Sequence, residues 1–399
     1  MKTLRNIFLC TLVLCLVLCG CKTAEDPPVP QTDPQGRPAA VARPDSTPQP
    51  TKPPRETPVP TETPAPTPAP EDVLLSQMTL EEKVAQMFFV RCPETGTAEY
   101  VGTRQPGGIL LFGRDLSGLS ETEVQEKTAA MQAAAKYGLL IGADEEGGTV
   151  VRVSSNPQLT DEPYWSPRKL HASGGTELVC SVEADKCDRL KSLGINVNFA
   201  PVCDITTDGF MYARSLGLSP EDTADVIGEM VLVYRSRRVG CVLKHFPGYG
   251  NAADTHHGIA YDERPIETFR TADFLPFSTG IEAGAGCVLV AHNIVTCVDA
   301  QVPASLSPAW HDLLRDELGF DGVIITDDLA MGAIQDYTDG ASAAVTAVLA
   351  GNDMLCCSAF QSQYDAVLAA VQDGTIAESR IDESVRRILR WKLDLGLIE

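Results

Sequence analysis

Positive charge is what this sequence has least of. Its 399 residues carry 32 Lys and Arg against 54 Asp and Glu, a formal net charge of −22. A nucleic-acid binder needs a basic face, so nucleic acid is not an expected partner; the acid excess speaks to solubility. Histidine is scarce as well, six in all. None stands at ligand spacing beside the early apolar run "VAQMFFVRC", so no metal is expected. No glycine-rich phosphate loop follows that run, and no cofactor is expected. Among 13 cysteines there is no CxxC pair. Several sit inside apolar runs such as "GCVLV" and "DMLCC", which reads as small buried apolar residues rather than a disulfide framework. Finally, no apolar stretch reaches the roughly 20 residues that span a bilayer.

The ends of the chain differ sharply in composition. Residues 1–21 begin with Lys2 and Arg5, continue apolar from Ile7 to Leu18 and end in "LCGC". That order is a secretory signal peptide, and its last residues resemble a bacterial lipobox with Cys21 as the lipidated residue. The expectation is export and lipid anchoring at the outer face of the bacterial cytoplasmic membrane; plain secretion after cleavage is the alternative. Residues 22–72 are dominated by Pro and Thr, as in "TPVPTETPAPTPAPE". They hold too little apolar surface to offset the entropy of ordering, so an extended, disordered tether is expected. The folded domain is then 73–399.

In that domain short apolar runs alternate with helical patterns. The runs are "VAQMFFV", "GGILLF", "GLLIGAD", "GINVNFAP", "VGCVLKHF", "GCVLVAH", "GVIITDD" and "NDMLCC". Between them lie amphipathic segments with Ser at the start, for example "SETEVQEKTAAMQAAAKYG", "SPEDTADVIGEMVLVYRSRR" and "SPAWHDLLRDELG". Near-continuous apolar strands imply burial on both faces, hence a parallel sheet under helices. Eight such units predict an α/β chain folded as a (β/α)8 barrel, with a doubly wound open sheet as the alternative. Several strands open with Gly, as a helix C-cap requires.

Charge falls where a barrel carries its chemistry. Asp144, Asp204, Lys244, His245, His292 and Asp327 each end a strand or follow it closely. Asp327 is placed to attack an anomeric carbon, whereas its neighbour Asp328 reads as a loop or helix cap. The loop in "KHFPGYGNAADTHHG" offers Asp254 and His256, two apart and on one side of an extended segment. A carboxylate there can fix the imidazole tautomer and leave the other nitrogen for proton transfer. Gly248, Gly250 and Gly258 are expected to make this loop a movable lid. His257 reads as incidental. Tyr164 and Trp165, in "SSNPQLTDEPYWSPRKL", either stack on a bound ligand or cover the barrel mouth.

Together "KHFPGYGNAADTHHG" and "VIITDDLAMGA" resemble glycoside hydrolase family 3, in its β-N-acetylglucosaminidase branch. "GADEEGGTVVR", ending at Arg152, and "YARSLG", residues 212–217, are similar to two further motifs of that family, in the same order. The likeness implies a retaining exo-β-N-acetylglucosaminidase acting on peptidoglycan fragments or other glycans through a covalent glycosyl-Asp intermediate. It implies Asp327 as nucleophile, His256 as general acid/base and Asp254 as its partner. Asp144, Arg152, Arg214, Lys244 and His245 match residues that hold the sugar of the β-N-acetylglucosaminide substrate. The chain departs from the common pattern at Tyr249 and Asn251, where many members have His and Asp. No second α/β domain is expected after the barrel to donate a carboxylate acid, an expectation that favours the N-acetylglucosamine branch over glucose. Other readings remain: a β-glucosidase-type or phosphorolytic member, a Schiff-base aldolase using Lys244, or a non-catalytic sugar-binding lipoprotein.

Overall fold

Runs of four apolar residues bury completely only when both faces of a strand are covered, and that is how this chain uses them. The computed structural model describes residues 68–399; the leader with Cys21 and nearly all of the 22–72 tether lie outside them. Eight parallel strands form one sheet: β1 (Phe88–Arg91), β2 (Gly108–Leu111), β3 (Leu140–Ala143), β4 (Val197–Asn198), β5 (Gly240–Phe246), β6 (Cys287–Val290), β7 (Val323–Thr326) and β8 (Leu355–Cys357). Each pairs with the next in chain order through β7, and β8 pairs with β1 in the register Phe88↔Leu355. The gap between β7 and β8 is bridged at Ile325↔Met354, where Met354 N donates to Ile324 O at 2.9 Å. The sheet thus returns on itself as a (β/α)8 barrel, and the open doubly wound alternative is excluded.

The interior is filled by pairing large rings with missing side chains. Phe89 and Phe199 meet edge to face at 5.1 Å between centroids inside the barrel. Gly142 makes the room: a Cβ there would lie 2.8 Å from the Phe199 ring and 2.9 Å from that of Phe89. At the opposite, amino end, the long helix Glu378–Asp394 closes the floor with Ile381, Val385, Ile388, Leu389 and Trp391 buried on one stripe.

Helix starts follow the sequence signals in two of three cases. Ser120 and Ser219 accept from the backbone N–H of Glu123 and Asp222 and cap Glu121–Ala134 and Pro220–Arg237. Ser307 instead donates its hydroxyl to Asp299 at 2.8 Å and caps nothing. The helix end before β5 also departs from expectation. Its left-handed residue is Arg238, not the strand-opening Gly240. Of the nine cysteines described, seven are buried and none is in a disulfide, in keeping with their apolar neighbours.

Candidate active site

The carboxyl rim of the barrel encloses a cavity of about 480 Å³. Its floor is a chain of paired charges. Lys244, buried near the end of β5, donates to Asp144 at 2.8 Å and lies 2.7 Å from Glu146. Arg214 grips the same Glu146 through two nitrogens, at 2.6 and 2.9 Å, and donates to His245 Nε2 at 3.2 Å. His245 Nδ1 meets Asp204 at 2.7 Å, and Asp204 also accepts the Tyr249 N–H. Burial of isolated charges is costly, so such a chain persists only because each ion has a partner. Burial acts to raise the Glu146 carboxyl, but Lys244 and Arg214 outweigh it and hold it down to about 2. Burial likewise works against the Lys244 ammonium, which Asp144 and Glu146 push above its ordinary value.

The loop after β3 is folded by a carboxylate that the sequence reading passed over. Glu145, fully buried, accepts the backbone N–H of Arg152 at 2.8 Å and of Val153 at 2.7 Å, and also bonds the Ser154 hydroxyl. That turn returns Arg152 to 3.5 Å from Asp144. Gly147 permits it, with φ of 95° and a missing Cβ that would lie 2.3 Å from the Trp165 carbonyl. Behind the loop, Asn198 bonds the Glu145 main chain on both sides, and Lys186 donates to the Glu146 carbonyl at 2.9 Å. Glu183 and Tyr234 complete this buried circuit. The sequence carries no separate signal for Glu145 or Glu146, because "DEEGG" reads equally as a solvated acidic turn.

Asp327 follows β7 directly and faces the cavity. Its carboxylate accepts the Asp328 N–H at 2.8 Å. Burial acts to raise this carboxyl, but His292, His245 and the Asp328 N–H outweigh it and keep it below the usual carboxylate range. It is therefore ionised at neutral pH. Asp328 is the loop cap expected of it, accepting from Ala330 N and from the Ser358 hydroxyl. His292, buried, receives the Ser305 hydroxyl at Nδ1 and reaches the Asp328 carbonyl with Nε2; burial holds the imidazole below its ordinary value. It shapes the loop that carries Asp327.

His256 also faces the cavity, with Nδ1 at 2.6 Å from Asp254. Burial acts to raise Asp254, while its bonds from the His256 backbone and ring prevail and lower it. An ionised Asp254 accepts the Nδ1–H hydrogen bond and leaves Nε2 for proton transfer. His257 is exposed and stands 3.7 Å from the second Asp254 oxygen, at the margin of the pair. Phe210 touches both the His256 and Tyr249 rings, at 6.3 and 6.1 Å between centroids, and was not foreseen.

Thus Asp327, His256, Asp144, Arg152, Arg214, Lys244 and His245 all line one cavity, and Asp254 backs His256. The glycines of the loop have a different use from the one expected. Gly248 and Gly250 have φ of 120° and 52°, and a Cβ on them would meet Asp273 at 2.3 Å and Arg264 at 2.6 Å. Tight packing requires glycine at these two positions. Tyr164 is tied to Asp185 at 2.6 Å and Trp165 lies under Lys169; neither lines the cavity. Among the described residues no group of three His, Cys, Asp or Glu is arranged to hold a metal ion.

Fold and site define a barrel that presents an ionised carboxylate, an Asp–His pair and a floor of charged donors to a small polar ligand. The chain belongs to glycosyl hydrolase family 3: the model of that family's N terminal domain matches residues 79–391. A beta-hexosaminidase of Xanthomonas campestris pv. campestris (strain B100) is 34% identical over 232 residues, 57% of this chain and 69% of that protein. A family 3 beta-N-acetylglucosaminidase from Paenibacillus sp. str. FPU-7 superposes with a TM-score of 0.75 at 33% identity. That match covers 80% of this chain but only 63% of the Paenibacillus chain. The beta-N-acetylhexosaminidase of Beutenbergia cavernae DSM 12333 superposes with a TM-score of 0.68 at 28% identity, over 78% of this chain and 98% of its own length.

Proposed function

We propose that this chain is a retaining exo-β-N-acetylhexosaminidase that removes terminal β-linked N-acetylglucosamine. The observation that carries the reading is the placement of Asp327 and His256 on one cavity whose floor is the Asp144–Lys244–Glu146–Arg214 chain. The names of the relatives support it. In this mechanism Asp327 attacks the anomeric carbon while His256, with a proton on each ring nitrogen, gives the one on Nε2 to the departing oxygen; Nε2 then takes a proton from the water that cleaves the glycosyl-Asp ester, which restores the acid. Asp254 accepts the Nδ1–H throughout and so keeps Nε2 as the nitrogen that exchanges the proton. Asp144, Arg152, Arg214, Lys244 and His245 orient the hydroxyls and the N-acetyl group.

The natural glycan we propose is a peptidoglycan fragment or another glycan met outside the cell. This rests on the leader ending at Cys21, which we propose is lipidated and anchors the domain to the outer face of the bacterial cytoplasmic membrane. Cys21→Ala should abolish fatty-acid labelling; persistent labelling would refute the anchor.

The decisive assay sets nitrophenyl β-N-acetylglucosaminide beside the matching β-glucoside. A strong preference for the N-acetyl sugar is expected. Preference for glucose would overturn the sugar assignment while leaving Asp327 in place, and no release from either would overturn the enzymatic reading.

A further inference from the structure

A second groove, of about 800 Å³, runs along the same rim outside the catalytic cavity, and Arg91 lies in the wall of both. Arg91 is the last residue of β1, half-buried, with its guanidinium over the Phe112 ring at 4.5 Å. Among the described residues it makes no ion pair, and its Nε is shielded from solvent with no acceptor. Every other charged group named on the cavity floor has a partner of opposite sign within reach. An arginine cannot relieve such a position by losing its proton. It keeps a planar donor fork that fits a carboxylate better than it fits a neutral hydroxyl.

The groove beyond it repeats the bias. Its wall holds Arg104 and Arg114 besides Arg91, against Glu94 and Asp365. Glu94 is already neutralised by Arg114 at 2.9 Å, and Asp365 takes a neutral amide from Gln361 at 2.7 Å. Arg104 makes no ion pair among the described residues. On a chain of net charge −22, the groove wall carries two guanidinium groups, those of Arg91 and Arg104, and one carboxylate, that of Asp365, outside any ion pair among the described residues. The groove is also coupled to the catalytic rim, because Ser358 in its wall donates to Asp328 at 2.6 Å.

We propose that Arg91 and this groove form an aglycone subsite for a carboxylate, so that the glycoside cleaved best carries an acidic group on the leaving side. The inference rests on the hexosaminidase reading and specifies its substrate class. Phe112 fixes the guanidinium, which then pairs with the carboxylate while the sugar occupies the inner cavity.

The test uses two nitrophenyl β-N-acetylglucosaminides of matched leaving-group acidity, one bearing a ring carboxylate. The wild-type domain is expected to favour the acidic one by about tenfold in kcat/KM at low salt, chiefly through KM, with the preference shrinking as salt screens it. Arg91→Met should bring the ratio of the two substrates close to one, and Arg91→Lys should keep part of it. A wild-type ratio near one, or an Arg91→Met ratio equal to wild type, would overturn the subsite. Failure to cleave even the neutral glycoside would instead overturn the reading on which it rests.

Discussion

Gly332, on the segment after Asp327, lies against the main chain of His256: a Cβ on it would stand 2.8 Å from the His256 carbonyl oxygen. Ala333 N adds a hydrogen bond to the Thr255 carbonyl at 3.2 Å, and Thr255 bonds Tyr249. The loop that carries His256 and the segment after Asp327 are thereby docked on each other. Gly332→Val should displace the loop, lowering kcat/KM by about 10- to 100-fold and stability by about 1–3 kcal/mol. Steady-state kinetics with a thermal melt would check it; unchanged kinetics would mean that the docking does not position His256.

Asp327→Asn removes the charge but keeps the shape of the side chain and its bond from Asp328 N. Turnover should fall by at least about a thousandfold, with circular dichroism unchanged. Appreciable activity in a preparation free of wild-type protein would remove Asp327 from the nucleophile role.

His256→Ala should depend on the leaving group. Glycosides with poor leaving groups need protonation and should lose about 10²- to 10⁴-fold, while those with very acidic phenols should lose far less in the glycosylation step. Asp254→Asn should follow the same pattern more weakly, since the imidazole remains without its orienting charge. An equal loss on both substrate types would indicate that the pair positions substrate and moves no proton.

Glu146 gives a pH dependence of stability. Its carboxyl falls from the usual 4.5 to about 2 in the folded chain. The stabilisation is fully present above the unfolded value and is lost as pH falls from about 4.5 to 2, an effect on the order of 3 kcal/mol. Denaturant titrations of the wild type should show that decline, and Glu146→Gln should flatten this part of it. The variant should also be far less active, because Lys244 and Arg214 lose the anion between them.

Lys392 carries a second one, of opposite pH range. It is buried at the amino end of the barrel with Gln86 and the Gly138 carbonyl as acceptors, and burial pushes its ammonium down to about 7 from 10.5. The unfolded chain then binds the extra proton between those values, so stability rises with pH across about 7 to 10.5, by at most about 1.4 kcal/mol per unit. Lys392→Met should remove that slope; an identical slope in the variant would refute it.

The barrel was legible because its strands are buried on both faces, which turns them into uninterrupted apolar runs, and each of the eight runs contains a strand, although Val84 to Gln86 of the first run end a helix. Much of the site was legible for a related reason: Asp144, Lys244, His245 and Asp327 end strands, and strand ends in a barrel converge. Glu145, Phe210 and Arg91 were not. Glu145 acts on main-chain groups of its own loop, Phe210 acts through contacts with other loops, and the significance of Arg91 is its lack of a partner.

What the sequence by itself determined is periodicity and order: which segments are strands, which helices, and which charged residues fall at the same end. Apolar burial and local capping decide these within a few residues of chain. Only the tertiary structure decided which charges pair, that Glu146 joins Lys244 to Arg214, that Gly248 and Gly250 are sterically required, and that Arg91 borders two cavities. Those outcomes depend on distances between residues far apart in the chain, which are set by closure of the barrel and by the packing of its loops.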